Sequence, residues 1–208
     1  MSFSGSVKQE LERCISPARH CQIAELSAIF SFCGEIQRTE EGQTFLCFST
    51  ENESVIRKCF TLLQKTFKID REISIDKRLI KRNNRFVIEV RGQEDTVRIL
   101  QAAKYLTARQ AANALCRSCE SSGYSKELLQ EGFSAGSILC AGSISDPEKF
   151  YHFEIVCSTL SKAQQLQELV QSFEVDAKVV SRKKHEVVYV KEGAQIVEIL
   201  GLMGPMYL

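Results

Sequence analysis

The sequence predicts an α+β protein built from two pseudo-symmetric repeats of the order αββαββα, paired through one helix from each repeat. Three observations lead there. The uncharged, glycine-bearing stretch Gly132 to Ser143 matches the segment Cys21 to Ile36 at an offset of 108, which lays Ala24 on Gly132, Ala28 on Gly136 and Gly34 on Gly142. The strand-like and helix-like segments that follow come in the same order in both halves. Each half also joins two strand-like runs by a basic turn, KRNNR in the first and SRKKH in the second.

The totals bound the possibilities. With 208 residues and 44% apolar content, the chain can bury a core as one large domain or two small ones. Its organisation reads as an N-terminal helical arm over 1–18, a first repeat over 19–106, a connector over 107–124 and a second repeat over 125–208. Lys plus Arg number 27 against 26 Asp plus Glu, so a nucleic-acid contact would have to rest on local clusters and not on net charge. The opening MSFSGSVKQELERC has no signal-peptide core, and no uncharged apolar run is long enough to span a bilayer, which predicts a cytoplasmic chain without membrane contact. Nine cysteines, odd in number and scattered through the segments, read as reduced thiols. Cys116 and Cys119 form a single CxxC, whereas structural zinc needs a second pair, and His20 and Cys21 are far away in sequence. No metal, cofactor or small-molecule substrate is predicted.

Taken in order, Val7, Leu11, Cys14 and Ile15 have helical spacing until Pro17 stops them. From Cys21 to Ile36 the chain reads as a helix, with Gly34 at the stop position. Thr44 to Ser49 reads as a strand; Ile56, Phe60, Leu63 and Phe67 form the stripe of an amphipathic helix. Glu72 to Ile80 and Phe86 to Val90 read as two strands, and Thr96 to Leu100 as a closing helix. The second half repeats this. Ser125 to Glu127 starts a helix that ends at Gly142, and Tyr151 to Cys157 is a strand. Ala163, Leu166, Leu169, Val170 and Phe173 form the next stripe; Ala177 to Val180 and Val187 to Val190 are strands; Gln195 to Leu200 closes the repeat. Both stripes end in similar words, FKID and FEVD.

The small residues Ala24, Ala28 and Gly34 of one helix and Gly132, Gly136 and Gly142 of the other predict a close helix–helix contact between the repeats. Such a joint sets two sheets side by side as a saddle, wide enough to track a duplex. Candidate phosphate contacts are Lys77, Arg78, Lys81, Arg82 and Arg85 in the first half, and Lys178, Arg182, Lys183 and Lys184 in the second. Asn83, Asn84 and His185 add candidate hydrogen bonds to bases or phosphates.

The helix that ends in Gly within a duplicated pattern resembles the LAGLIDADG homing-endonuclease fold. Leu26 to Gly34 is the first copy of the motif helix and Ser134 to Gly142 the second. GSISDPEKFYHFEIV (Gly142 to Val156), YVKEGAQIVEIL (Tyr189 to Leu200) and the opening MSFSGSVKQEL resemble more closely the WhiA family of bacterial DNA-binding regulators of sporulation and cell division, over essentially the whole chain. That resemblance implies DNA as a partner, another transcription regulator as a second one, and a nucleoid-associated place in the cytoplasm. It also implies a C-terminal helix-turn-helix domain, for which this chain has no segment.

Homing endonucleases of this fold carry a carboxylate immediately before the Gly of each motif helix, and the pair binds a divalent metal that activates water. Cys33 and Ala141 stand at those places, and neither offers the hard oxygen that magnesium requires. Glu35 faces Ser143 in the matching position, and Asp146 reads as a turn-capping side chain in Ser-Asp-Pro. No catalytic residue is therefore predicted. Three functions stay open: a non-catalytic DNA-binding scaffold, a protein-interaction module, and, least favoured, a nuclease with relocated acids.

Overall fold

Ser2 accepts a hydrogen bond from the Gly5 amide and so starts α1 (Phe3–Arg13), which turns Val7 and Leu11 inward. The computed structural model describes residues 2–69, 73–80, 83–103, 132–145 and 151–202. After Pro17 comes α2 (Arg19–Cys33), buried from Ala24 through Phe30 without a break. A helix buried all round lies inside the molecule, and that is where α2 lies. The first repeat continues with β1 (Gly34–Arg38), β2 (Thr44–Thr50), α3 (Glu53–Phe67), β3 (Asp76–Ile80), β4 (Asn83–Val90) and α4 (Gln93–Ala102). The second runs α5 (Gly132–Ala141), β5 (Gly142–Ile144), β6 (Phe153–Cys157), α6 (Leu160–Gln171), β7 (Lys178–Arg182), β8 (His185–Val190) and α7 (Gly193–Leu202). The order αββαββα holds in both.

Each repeat folds into a four-stranded antiparallel sheet with the same strand order, β1-β2-β4-β3 and β5-β6-β8-β7. The helices cover one face of each sheet. Leu46, Phe48, Ile88 and Val90 point into that core from the first sheet, and Phe153, Ile155, Val188 and Val190 do so from the second; one continuous apolar cluster joins the two halves.

Several boundaries differ from those the sequence predicts. Within the segment Cys21 to Ile36 the helix ends at Cys33, next to the stop expected at Gly34, but Gly34 begins a strand at once. Gly34 is extended (φ −98°, ψ 147°), not the left-handed stop of a glycine-capped helix. Its lack of a side chain is still required: a Cβ there would stand 2.7 Å from the Phe30 carbonyl oxygen, and one on Gly142 would stand 2.6 Å from the Ile138 carbonyl oxygen. The chain thus folds straight back from helix to strand in both repeats. The strand expected over Glu72 to Ile80 covers only Asp76–Ile80. The words FKID and FEVD have a common cause: Lys68 (φ 57°) and Glu174 (φ 63°) both take the left-handed conformation after their helices, which drives Ile69 and Val175 into the core. The connector 107–124, with Cys116 and Cys119, and the turn residue Asp146 lie outside the described residues.

The two halves meet along α2 and α5. Gly136 lies against Ala28 and the Glu25 carbonyl, with an added Cβ 2.7 Å from each. Ala24 and Ala28 are buried, and Gly132 opens α5. Glu25 pairs with Lys58 of α3 at 2.9 Å, both side chains nearly inaccessible. The Lys58 ammonium also donates to the carbonyls of Leu11 (2.6 Å) and Cys14, so one buried cation ties α1, α2 and α3 together.

Candidate nucleic-acid interface

Strand register decides which side chains share a face, since neighbours along a strand point to opposite sides. Asp76 pairs with Val87, Arg78 with Arg85, and Cys47 with both Glu35 and Glu89. These residues, with Phe45 and Ser49, form the open face of the first sheet. In the second, Lys178 and Glu154 pair with Tyr189, Val180 with Val187, Arg182 with His185, and Ser143 with Glu154. Laying one register on the other matches Arg78 with Arg182 and Arg85 with His185, and one residue past each central strand Arg91 matches Lys191.

The candidate residues divide accordingly. Arg78, Asn83, Arg85, Lys178, Arg182 and His185 lie on the open faces. Lys77 and Asn84 have the opposite parity, and Lys77 lies over the Phe86 ring at 5.7 Å on the helix side. Lys183 and Lys184 form the two-residue turn between Arg182 and His185, with Lys183 in the left-handed region at φ 56°. Lys81 and Arg82 lie outside the described residues, between the paired Ile80 and Asn83. The second basic turn, expected to act as a unit, is therefore split between two faces and a tip, and the described residues of the first, Asn83, Asn84 and Arg85, alternate between two faces.

Much of the cationic charge is already engaged. Arg78 bridges Asp76 (2.9 Å) and Glu89 (2.5 Å), and Arg91 holds the other Glu89 oxygen at 2.7 Å. Hydrogen bonds from Arg78 hold both carboxyls below the usual carboxylate range. This network covers the small apolar group Phe45, Cys47 and Val87, with Arg91 5.4 Å from the Phe45 ring centre. On the second face Arg182 binds Glu154 at 3.0 Å, Lys178 binds Asp176 at 3.2 Å, and Lys191 lies over Tyr189 at 5.3 Å. His152 stacks on the same ring and contacts Glu154. Asn83 donates to Glu51, and Arg85 to the Ser49 carbonyl. Arg91, Lys191, Glu89 and Glu154 escape a reading of the basic turns alone. Following the period of two from Arg85 through Val87 and Glu89 to Arg91 would have found the first-repeat pair, and the same step from His185 would have reached Lys191.

At the joint, the C-terminal ends of α2 and α5 come together. Cys33 ends α2 and Cys140 lies one residue before the end of α5, where Ala141 supplies only a methyl group. Donation from the Cys140 thiol lowers the pKa of Cys33, whereas burial raises that of Cys140. Two helix ends of negative polarity converge at this place. Cations of the chain surround it: Lys162 donates to the Ser31 carbonyl at 2.7 Å, and the charges of Arg85 and Lys8 reach Cys33. A hard divalent cation does not fit this donor set, which offers thiols and a methyl where carboxylates would be needed. Glu35 lies exposed on β1, hydrogen-bonded to Gln37, and has Ser143 opposite in the other repeat. Among the described residues no group of three or more His, Cys, Asp or Glu is arranged to hold a metal ion, and no helix is long and apolar enough to cross a membrane.

Two family models match the chain: the WhiA N-terminal LAGLIDADG-like domain over residues 19–105 and the WhiA LAGLIDADG-like domain over residues 130–207. A probable cell division protein WhiA from Lachnoclostridium phytofermentans is 41% identical over 203 residues, which cover 98% of this chain and 65% of that protein. Full-length DUF199/WhiA from Thermatoga maritima superposes with a TM-score of 0.68 at 17% identity, over 99% of this chain and 63% of that one. A variant of the homing endonuclease I-DmoI, solved with its target DNA, superposes with a TM-score of 0.62 at 9% identity, over 90% of this chain and 98% of that one. At such identities the structural likeness is one of fold. The chain spans just under two thirds of the length of the WhiA proteins it matches.

Proposed function

The chain belongs to the WhiA family, whose two LAGLIDADG-like domains it carries, and from that premise we propose that it is the non-catalytic, DNA-binding scaffold of a transcription regulator acting in cell division and sporulation. One observation carries the reading. Cations recur at matched register positions on two sheet faces related by the repeat, while both places that a nuclease needs for carboxylates hold Cys33 and Ala141. A duplex lying across both faces would meet Arg78, Arg85 and Arg91 on one side and Arg182, His185 and Lys191 on the other. Its phosphates would replace Asp76, Glu89 and Glu154 as the partners of these side chains. In this reading the two domains add sequence-independent affinity and orientation.

A second reading has its own support. Because Arg78, Arg182 and Lys178 are already paired with carboxylates, the faces present alternating charge, which suits a protein surface as well as a polyanion. Binding of a fluorescent duplex by the 208-residue chain, measured from about 50 to about 200 mM salt, separates the two. The DNA reading expects an affinity that falls steeply across this range, with supercoiled plasmid left uncut in magnesium. Salt-independent or absent binding rejects direct DNA contact by these domains.

A further inference from the structure

On the second sheet face two side chains meet one carboxylate oxygen. His152, which precedes β6, and Glu154 have the same parity and share the open side. The Nε2 of His152 lies 3.1 Å from Oε2 of Glu154, and Nη1 of Arg182 donates to that same oxygen at 3.0 Å. A carboxylate only accepts, so a neutral His152 donates its Nε2 proton there. The ring is held in place by stacking on Tyr189, with centroids 6.5 Å apart and 27° between the planes. The side chains of His152 and Glu154 are 27% and 23% exposed and that of Arg182 is 54% exposed, so Arg182 is the partner with room to turn outward. The matching place in the first repeat holds Phe45, and there Arg78, the counterpart of Arg182, is gripped by Asp76 and Glu89 together. Among the described residues, the other groups facing the trio are Tyr189 with Lys191 over its ring, Lys178 paired with Asp176, His185 opposite Arg182, and Ser143 of β5 opposite Glu154. Of these side-chain types only histidine ordinarily changes charge between about pH 5 and about pH 8.

Resting on the DNA reading above, we propose that His152, Glu154 and Arg182 couple duplex binding to protonation: charged His152 takes over the Glu154 carboxylate and releases Arg182 to a phosphate. While the ring is neutral, Arg182 balances the charge of Glu154, and a duplex must break that pair before it gains the guanidinium. Protonation puts a full positive charge beside the same oxygen, and the carboxylate is then neutralised without Arg182. The ring stays stacked on Tyr189, and the guanidinium turns outward as a fork of donors suited to phosphate. Only the second repeat responds, because Phe45 has no proton to take up. The protonated form binds the polyanion more tightly, so affinity rises as pH falls, and a bound duplex raises the proton affinity of His152 by the same factor.

The test measures binding of a fluorescent duplex by the 208-residue chain at about pH 8 and about pH 5.5, each across a salt series. The wild type should bind roughly tenfold tighter at the lower pH, with the slope of log K against log salt steeper by about 0.9 for the phosphate gained. His152→Gln should lose most of this gain. Glu154→Gln leaves no carboxylate to hold Arg182, so it should bind tightly at both pH values and show little gain. A full gain retained in Glu154→Gln overturns the proposal, since charge on the ring would then act without any exchange of partners; a full gain retained in His152→Gln overturns it too. In the wild-type chain without DNA, the NMR signals of the His152 ring and the Arg182 guanidinium should move together with pH. An Arg182 signal that stays still as the ring titrates rejects the exchange. Absence of duplex binding at both pH values removes the DNA reading and with it the coupling to DNA, while the Arg182 signal separately accepts or rejects the exchange of partners.

Discussion

Glu25 is a carboxyl group in the middle of the joint, paired with Lys58 and shut away from water. Burial raises its pKa from the ordinary 4.5 to about 7, against the pull of the Lys58 charge. A raised carboxyl pKa means that the folded chain binds the proton more tightly than the unfolded one. Stability from this group therefore falls as pH rises from about 4.5 through about 7. Glu25→Gln keeps an acceptor for Lys58 and removes the titration. The difference in unfolding free energy between wild type and variant should shift against the wild type between about pH 5 and about pH 8, as measured by denaturant titration; a pH-independent difference would refute this. The pair itself is not legible in the sequence. Glu25 and Lys58 stand 33 positions apart, each in a helix, and nothing local marks either as inward-facing. Lys183 is similar: its left-handed backbone would favour glycine, yet the turn keeps a cation at its tip.

At the scale of elements, the contact of α2 with α5 depends on a missing Cβ. A methyl group on Gly136 would meet the Glu25 carbonyl oxygen at 2.7 Å, and backbone cannot move aside as a flexible side chain can. Gly201 in α7 has open space around its Cα. Gly136→Ala should therefore destabilise the chain by about 1–3 kcal/mol through overpacking, despite the better helix propensity of alanine. Gly201→Ala should be neutral or stabilising by up to about 1 kcal/mol. Calorimetry of the two variants checks this, and equal effects would mean that the helices do not meet at Gly136. The stripes on α3 and α6 were legible because one amphipathic face of each meets the core. The shared helix–strand corner was not, because glycine after a helix usually signals a left-handed stop, and here it relieves a clash in an extended chain.

For the whole molecule, the proposed function has one duplex crossing both open faces. If one duplex crosses both, neutralising a cation on either face removes about one phosphate contact, and the slope of log K against log salt should fall by about 0.9 for each. Arg91→Gln and Lys191→Gln, measured singly and together, should therefore give equal single losses that add. A loss confined to one repeat would show that only one face is used. The sequence by itself determined the duplication, the class and order of elements, the small-residue joint and the lack of paired acids. Periodicity, repeat spacing and residue chemistry are all local properties, and they survive in one dimension. Only the tertiary structure decided which cations share a face and which carboxylates already neutralise them. Those depend on strand register and on the packing of one repeat against the other, and a shift of one residue in pairing reverses every side chain.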